Sequence, residues 1–240
     1  MSALCGDTDC VMTLLRCSAS VHPSSARHGS ALHAAASSGS TDTCLALLNH
    51  GANLHILAGP FYTVLQAAAA SGSPDCVKLI LDRGGAHLNV DIQGGTFFTA
   101  LHAAVKHNDD GVLRHLLAHN PPLALNAFPL KRHALAGKGT ALHAAAFRGC
   151  NRNARLLIEA GADVNVIAGK HGSVLQIAAL KCNPLLVELL LDSGAKIDGV
   201  YGKYGSALVV AVARAADPKP GWNGENDRVK ALVMLLDHAP

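Results

Sequence analysis

The chain has 240 residues, of which half are hydrophobic, 15% charged and only 4% aromatic, and its formal net charge is +3. Such a composition is too apolar for a disordered chain, and the longest apolar run, from Ala207 to Ala213, is stopped by Arg214 far short of the ~18 residues of a membrane span. The small net charge argues against nucleic acid as the partner, and the scarcity of rings leaves Ala, Leu and Val to build the core.

In chain order, Met1 to Cys10 carries Asp7 and Asp9 with no basic start and apolar stretch, so no secretory leader is read there. Residues 6–22, with Val11-Met-Thr-Leu-Leu15, read as a single helix without its pair. From residue 30 one phrase recurs: Ser30-Ala-Leu-His-Ala-Ala-Ala36, Thr63-Val-Leu-Gln-Ala-Ala-Ala69, Thr99-Ala-Leu-His-Ala-Ala-Val105, Thr140-Ala-Leu-His-Ala-Ala-Ala146, Ser173-Val-Leu-Gln-Ile-Ala-Ala179 and Ser206-Ala-Leu-Val-Val-Ala-Val212. Its leucine falls at 32, 65, 101, 142, 175 and 208, giving intervals of 33, 36, 41, 33 and 33 residues.

A second phrase follows the first: Cys44-Leu-Ala-Leu-Leu48, Val77-Lys-Leu-Ile-Leu81, Ala154-Arg-Leu-Leu-Ile158 and Leu186-Val-Glu-Leu-Leu190. Glycines at 51, 84, 161 and 194 suit the left-handed residue that ends a helix, while Ser73-Pro74 and Asn183-Pro184 suit an N-cap followed by proline at the first helical position. Each unit is therefore expected to be helix, turn, helix and loop. One such pair cannot bury its apolar face, but stacked neighbours share an interior, and the alanine pairs 34/35, 67/68, 103/104 and 144/145 allow first helices to approach closely.

Together these phrases resemble the ankyrin repeat over about residues 25 to 240, with glycine before the Ser or Thr at 29, 139, 172 and 205 as in repeats of large fungal proteins, and without the family's proline. The resemblance implies an all-α ankyrin-repeat solenoid of helix-turn-helix units with short β-hairpin or loop fingers. A single domain over 1–240 is expected, with a truncated first unit at 1–24 and repeats at 25–57, 58–93, 94–134, 135–167, 168–200 and 201–240. A long loop is expected over 120–138 and an insertion over 217–226, containing Trp222. Neither end carries a strongly polar capping repeat, which reads as a piece of a longer array. Replacing the signature histidine by Gln66, Gln176 and Val209 is expected to weaken local hydrogen bonds without changing the fold.

In this family the partner usually meets the fingers and the adjacent ends of the first helices. Carried over, the finger residues are Arg27, His28, Phe61, Tyr62, Phe97, Phe98, Lys138, Lys170, His171, Lys203 and Tyr204, and those at the helix ends include Lys106, His107, Phe147, Arg148, Lys181 and Arg214. Eight cations and no carboxylate fall in this set, whereas Asp42, Asp75, Asp82, Glu159, Glu188, Asp192 and Asp237 fall in or beside second helices. A basic groove interleaved with rings suits an acidic, partly hydrophobic protein segment, because rings supply contact area and cations steer and orient. Solvated lysines with rings packed between fingers are the plainer alternative. An enzyme or small-molecule binder using His107, His171, Tyr62, Tyr204, Lys106 and Lys170, and a polyanion binder, are the other two.

The fourteen histidines do not make a metal site, since His33, His102 and His143 belong to the repeat phrase, where the resemblance implies a structural ring; His107-Asn-Asp-Asp110 lies in a turn. No metal and no cofactor are expected: Gly137-Lys-Gly-Thr140 and Gly169-Lys-His-Gly-Ser173 fail the phosphate-loop pattern. Seven cysteines with no C-x-x-C pair fit a reducing intracellular compartment, cytoplasmic or nuclear. Cys10, Cys44 and Cys76 are expected to be buried on the inner side of second helices, with Cys150 and Cys182 in turns and open to reaction.

Overall fold

The computed structural model describes residues 7–22, 24–85, 88–119, 124–129, 139–201, 205–216 and 225–238. They fall into two compact units, Met1–Leu123 and Ala124–Pro240. The first holds α1 (Thr8–Arg16), a hairpin of β1 (Ser24–Ser25) and β2 (Gly29–Ser30), α2 (Ala31–Ser38), α3 (Thr41–Asn49), α4 (Val64–Ser71), α5 (Pro74–Gly84), α6 (Ala100–Ala104) and α7 (Gly111–His119). The second holds α8 (Ala141–Arg148), α9 (Asn151–Glu159), α10 (Val174–Leu180), α11 (Pro184–Asp192), α12 (Ala207–Ala215) and α13 (Glu225–Asp237).

Each first helix starts where its sequence phrase does. The hydroxyls of Ser30, Thr63, Thr99, Thr140, Ser173 and Ser206 accept the N–H three residues on, satisfying a donor that the helix itself leaves open and contributing about 1 kcal/mol apiece. Ser73 and Asn183 cap α5 and α11 in the same way, each ahead of its proline. Second helices end as expected at left-handed Gly51, Gly161 and Gly194, but Gly84 lies inside α5, and Gly85 ends that helix.

Stacking follows the alanines. In the first unit α2 packs on α4 and α4 on α6, while α1 packs on α3, α3 on α5 and α5 on α7. In the second, α8, α10 and α12 form one layer and α9, α11 and α13 the other. Ala35, Ala67, Ala68, Ala103 and Ala145 are wholly buried between first helices, with Leu32, Leu47, Ile80 and Leu113 filling one interior and Leu142, Leu157, Leu175, Leu190 and Leu235 the other. The expected all-α stack of helix pairs is present in each unit.

The fingers of the first unit stack backbone on backbone. A Cβ added to Gly59 would lie 2.5 Å from the nitrogen of Gly29, and one on Gly95 would lie 2.7 Å from the carbonyl of Pro60. That same carbonyl accepts the amide of Thr96 at 2.7 Å and its hydroxyl at 2.9 Å. Isolated bridges, Ala58 with Tyr62 and Gly94 with Phe98, close these two fingers.

Two cysteine expectations are corrected. Cys10 is exposed, not buried: α1 rests on α3 but, among the described residues, has no paired first helix to cover its inner side. Cys150 and Cys182 are buried, not open, at 4% and 2% exposure, because the turns that carry them fold against the stack; burial pushes the Cys150 thiol up, with Arg148 opposing. Most of the expected 120–138 loop lies outside the described residues, although Asn126 Oδ1 accepts the amide of Asp163 at 3.0 Å. Residues 217–224 of the expected insertion also lie outside them, and Glu225 and Asn226 already belong to α13.

Candidate protein-binding surfaces

The signature histidines are structural, and His33 and His143 clamp their repeats to the following finger. His33 Nδ1 meets Ser30 Oγ at 2.8 Å and its Nε2 faces the carbonyl of Tyr62 at 3.4 Å; His143 Nδ1 meets Thr140 Oγ1 at 2.8 Å and its Nε2 faces the carbonyl of Gly172 at 3.1 Å. His102 bonds Thr99 at 2.8 Å.

Glutamine keeps this clamp to the next finger, although Gln66 loses the local bond as expected, its Oε1 being buried without a hydrogen-bond partner among the described residues. Gln66 Nε2 donates to the carbonyls of Ile92 at 2.9 Å and Phe98 at 3.2 Å, and Gln176 Nε2 reaches those of Tyr201 and Gly205 while its Oε1 accepts the Ser173 amide at 2.8 Å. The longer amide spans to the next finger and supplies two donors where imidazole has one ring N–H. Only Val209 gives up the clamp, and it stands 57% exposed.

Burial depresses the proton affinity of His33 below its ordinary 6.5, against a smaller opposing effect of the Tyr62 carbonyl. The unfolded chain therefore takes up the proton more readily, so this contribution to stability is complete above the unfolded value and is lost progressively as pH falls from it through the lower folded value. The unfolding midpoint is expected to drop from about pH 7 to about pH 5 more steeply in the native sequence than in His33→Gln, which keeps an amide clamp but cannot titrate. Equal slopes in thermal scans of the two proteins would contradict this.

In the first unit the Phe61 and Phe97 rings stack at 6.1 Å with 7° between planes, a consequence of the finger stacking, and Lys106 Nζ lies 6.0 Å from the Phe97 centroid. Lys106 Nζ and His107 Nε2 both bond the carbonyl of Ala70 at the end of α4, at 3.1 and 2.9 Å. Arg27 is exposed and His28 half-buried. Phe98 is not a surface ring: it is buried, edge-on to His102 at 5.5 Å. Its backbone is left-handed, φ 73°, as is that of Tyr62, φ 71°, at positions where sister units place Gly29, Gly139, Gly172 and Gly205. A bulky residue held there carries about 1–2 kcal/mol of backbone strain.

In the second unit Phe147, Arg148, Lys170 and His171 line one pocket of about 360 Å³, with His143, Ala144 and Ile177 completing its walls. Phe147, 45% exposed, stacks on His171 at 5.5 Å, and Lys181 Nζ sits 3.9 Å from the centre of the Phe147 ring. Burial, and then the neighbouring Arg214, hold the Lys181 ammonium below its ordinary pKa. Ile177 was not singled out in the sequence, although it stands where four sister phrases have alanine. Lys138, Lys203 and Tyr204 lie outside the described residues. Asp42, Asp75, Asp82, Glu159, Glu188, Asp192 and Asp237 are exposed on second helices, away from these surfaces. Among the described residues no helix is long and apolar enough to cross a membrane.

The fold is one of stacked helix pairs with short fingers. Three overlapping stretches, residues 1–92, 55–127 and 101–201, match the family model of ankyrin repeats, and the chain belongs to that family, whose members generally act as protein-interaction modules. It is similar to the human ASB11 ankyrin repeat domain, with 26% identity, 100% of this chain and 96% of that one covered, and a TM-score of 0.76. It also shares the fold of the ankyrin repeat domain of Bcl-3, described as a unique member of the IkappaB protein family, at 20% identity, with 98% and 96% of the chains covered and a TM-score of 0.71. No curated protein sequence matches the chain.

Proposed function

We propose that this chain is a protein-interaction module that holds an acidic partner segment carrying apolar side chains. The observation that supports this reading is the pocket of the second unit, where an exposed ring, Phe147, is flanked by Arg148, Lys170 and Lys181. The ring and Ile177 suit an apolar side chain of the partner, and the cations suit carboxylates beside it. The stacked Phe61 and Phe97 of the first unit, with Lys106 near them, offer the same pairing of ring and charge.

Salt tests the balance of the two contributions. A peptide anchored by apolar contact loses affinity only gradually with ionic strength, whereas a polyanion held by phosphate contacts shows a log-log slope as steep as about −5. With the captured partner in hand, a shallow slope is expected, together with a loss of about tenfold or more on Phe147→Ala, read by isothermal titration. A steep slope unaffected by that substitution would replace the peptide with a polyanion.

A further inference from the structure

The binding surfaces leave unused a pair of thiols in the core of the first unit. Cys44 and Cys76, one repeat apart in sequence, have their sulfurs 3.7 Å apart, and both are wholly buried. Side-by-side packing of α3 and α5 brings them together. Each lies in the first turn of its helix, Cys44 fourth in α3 and Cys76 third in α5, where the amide N–H groups carry partial positive charge. That setting favours a thiolate, and burial opposes it.

We propose that Cys44 and Cys76 form a reversible disulfide that staples the second helices of the first two full repeats. Either S–H can donate to the other sulfur at this distance, which lowers the accepting thiol and raises the donor; with Cys44 donating, Cys76 is the sulfur that reacts first. The oxidant is a small hydroperoxide, which reaches the pair during local opening of the outer helices. Cys76 thiolate attacks one peroxide oxygen, the O–O bond breaks, and sulfenic acid forms at Cys76 as hydroxide leaves. The Cys44 sulfur, giving up its proton, then attacks the Cys76 sulfur and expels the second oxygen as water. Two electrons pass from the two sulfurs to hydrogen peroxide, and two waters result. The sulfurs close from 3.7 Å to the ~2.05 Å of the bond by turning their Cβ–Sγ arms and a small shift of the helices.

Treating the native full chain with hydrogen peroxide, alkylating the remaining thiols and mapping peptides without reductant tests this. A linked Cys44 and Cys76 peptide pair, lighter by two hydrogens and released by dithiothreitol, is expected. The unfolding midpoint should rise by about 10 °C, since the link closes a loop of one repeat. Cys44→Ala should abolish both the link and the rise; if that variant does not fold, the native map decides alone. Recovery of both cysteines unlinked after a dose that oxidises exposed Cys10 and Cys17, their pairing with other cysteines, or a link that lowers the midpoint would each overturn the proposal.

Discussion

Gly59→Ala is expected to lower the stability of the chain by about 3 kcal/mol, and Gly161→Ala by only about 1 kcal/mol, although both glycines are left-handed. The shared part is conformational: an alanine at positive φ meets its own carbonyl, whatever the surroundings. The difference is steric. At Gly161 an added Cβ meets nothing within 4 Å, whereas at Gly59 it would lie 2.5 Å from the nitrogen and 2.8 Å from the Cα of Gly29. Those are main-chain atoms of the preceding finger, which cannot swing aside, so the two fingers have to separate. Separation would also disturb the Tyr62 carbonyl that His33 faces. Urea unfolding of the purified variants measures both values, and equal costs would show that the fingers do not touch through their backbones.

Reversing Arg148 and Lys170 to glutamate together is expected to weaken partner capture at least about 100-fold while the unfolding midpoint stays nearly constant. Both side chains line the pocket of the second unit and both are exposed, so their replacement leaves the interior intact. Lys181 serves this purpose less well, since it is half-buried against Phe147. An equal change of charge at Lys78 and Arg83, both exposed on α5, separates a local effect from a change of net charge. Capture that survives at the pocket, or that falls equally in the control pair, would remove this pocket as the docking surface.

The helix pairs were legible because the recurring phrase carries its own boundaries. A hydroxyl at 30, 63, 99, 140, 173 or 206 caps, a leucine two residues on is buried or nearly so, and alanines set the spacing between helices. All of that is local chemistry, which neighbouring residues decide. The outer acids were legible for the same reason, as the helical period assigns them a face.

What the residues alone did not disclose depends on contacts between repeats. Phe97 and Phe98 are adjacent and chemically identical, yet one is half-buried at the surface and the other is buried edge-on to His102. A signal was present in the glycines at the aligned positions 29, 139, 172 and 205, which mark a backbone conformation rather than an absence of side chain. The clamps made by Gln66 and Gln176 were not legible because their acceptors belong to the following finger, some 25 to 32 residues away. Cys10 and Cys76 occupy equivalent positions, but α5 packs against α3, α4 and α7, whereas α1 packs mainly on α3.

A lysine on a surface is ordinarily one of the most mobile side chains, and fixing it when a complex forms costs on the order of 1 kcal/mol or more in rotamer freedom. Lys181 has surrendered much of that freedom already, because its ammonium rests on the face of Phe147 in the folded chain. On the proposed docking surface this is a charge held in place beforehand, and complexes with preset contacts of this kind lose less entropy on forming than those that must first order their side chains.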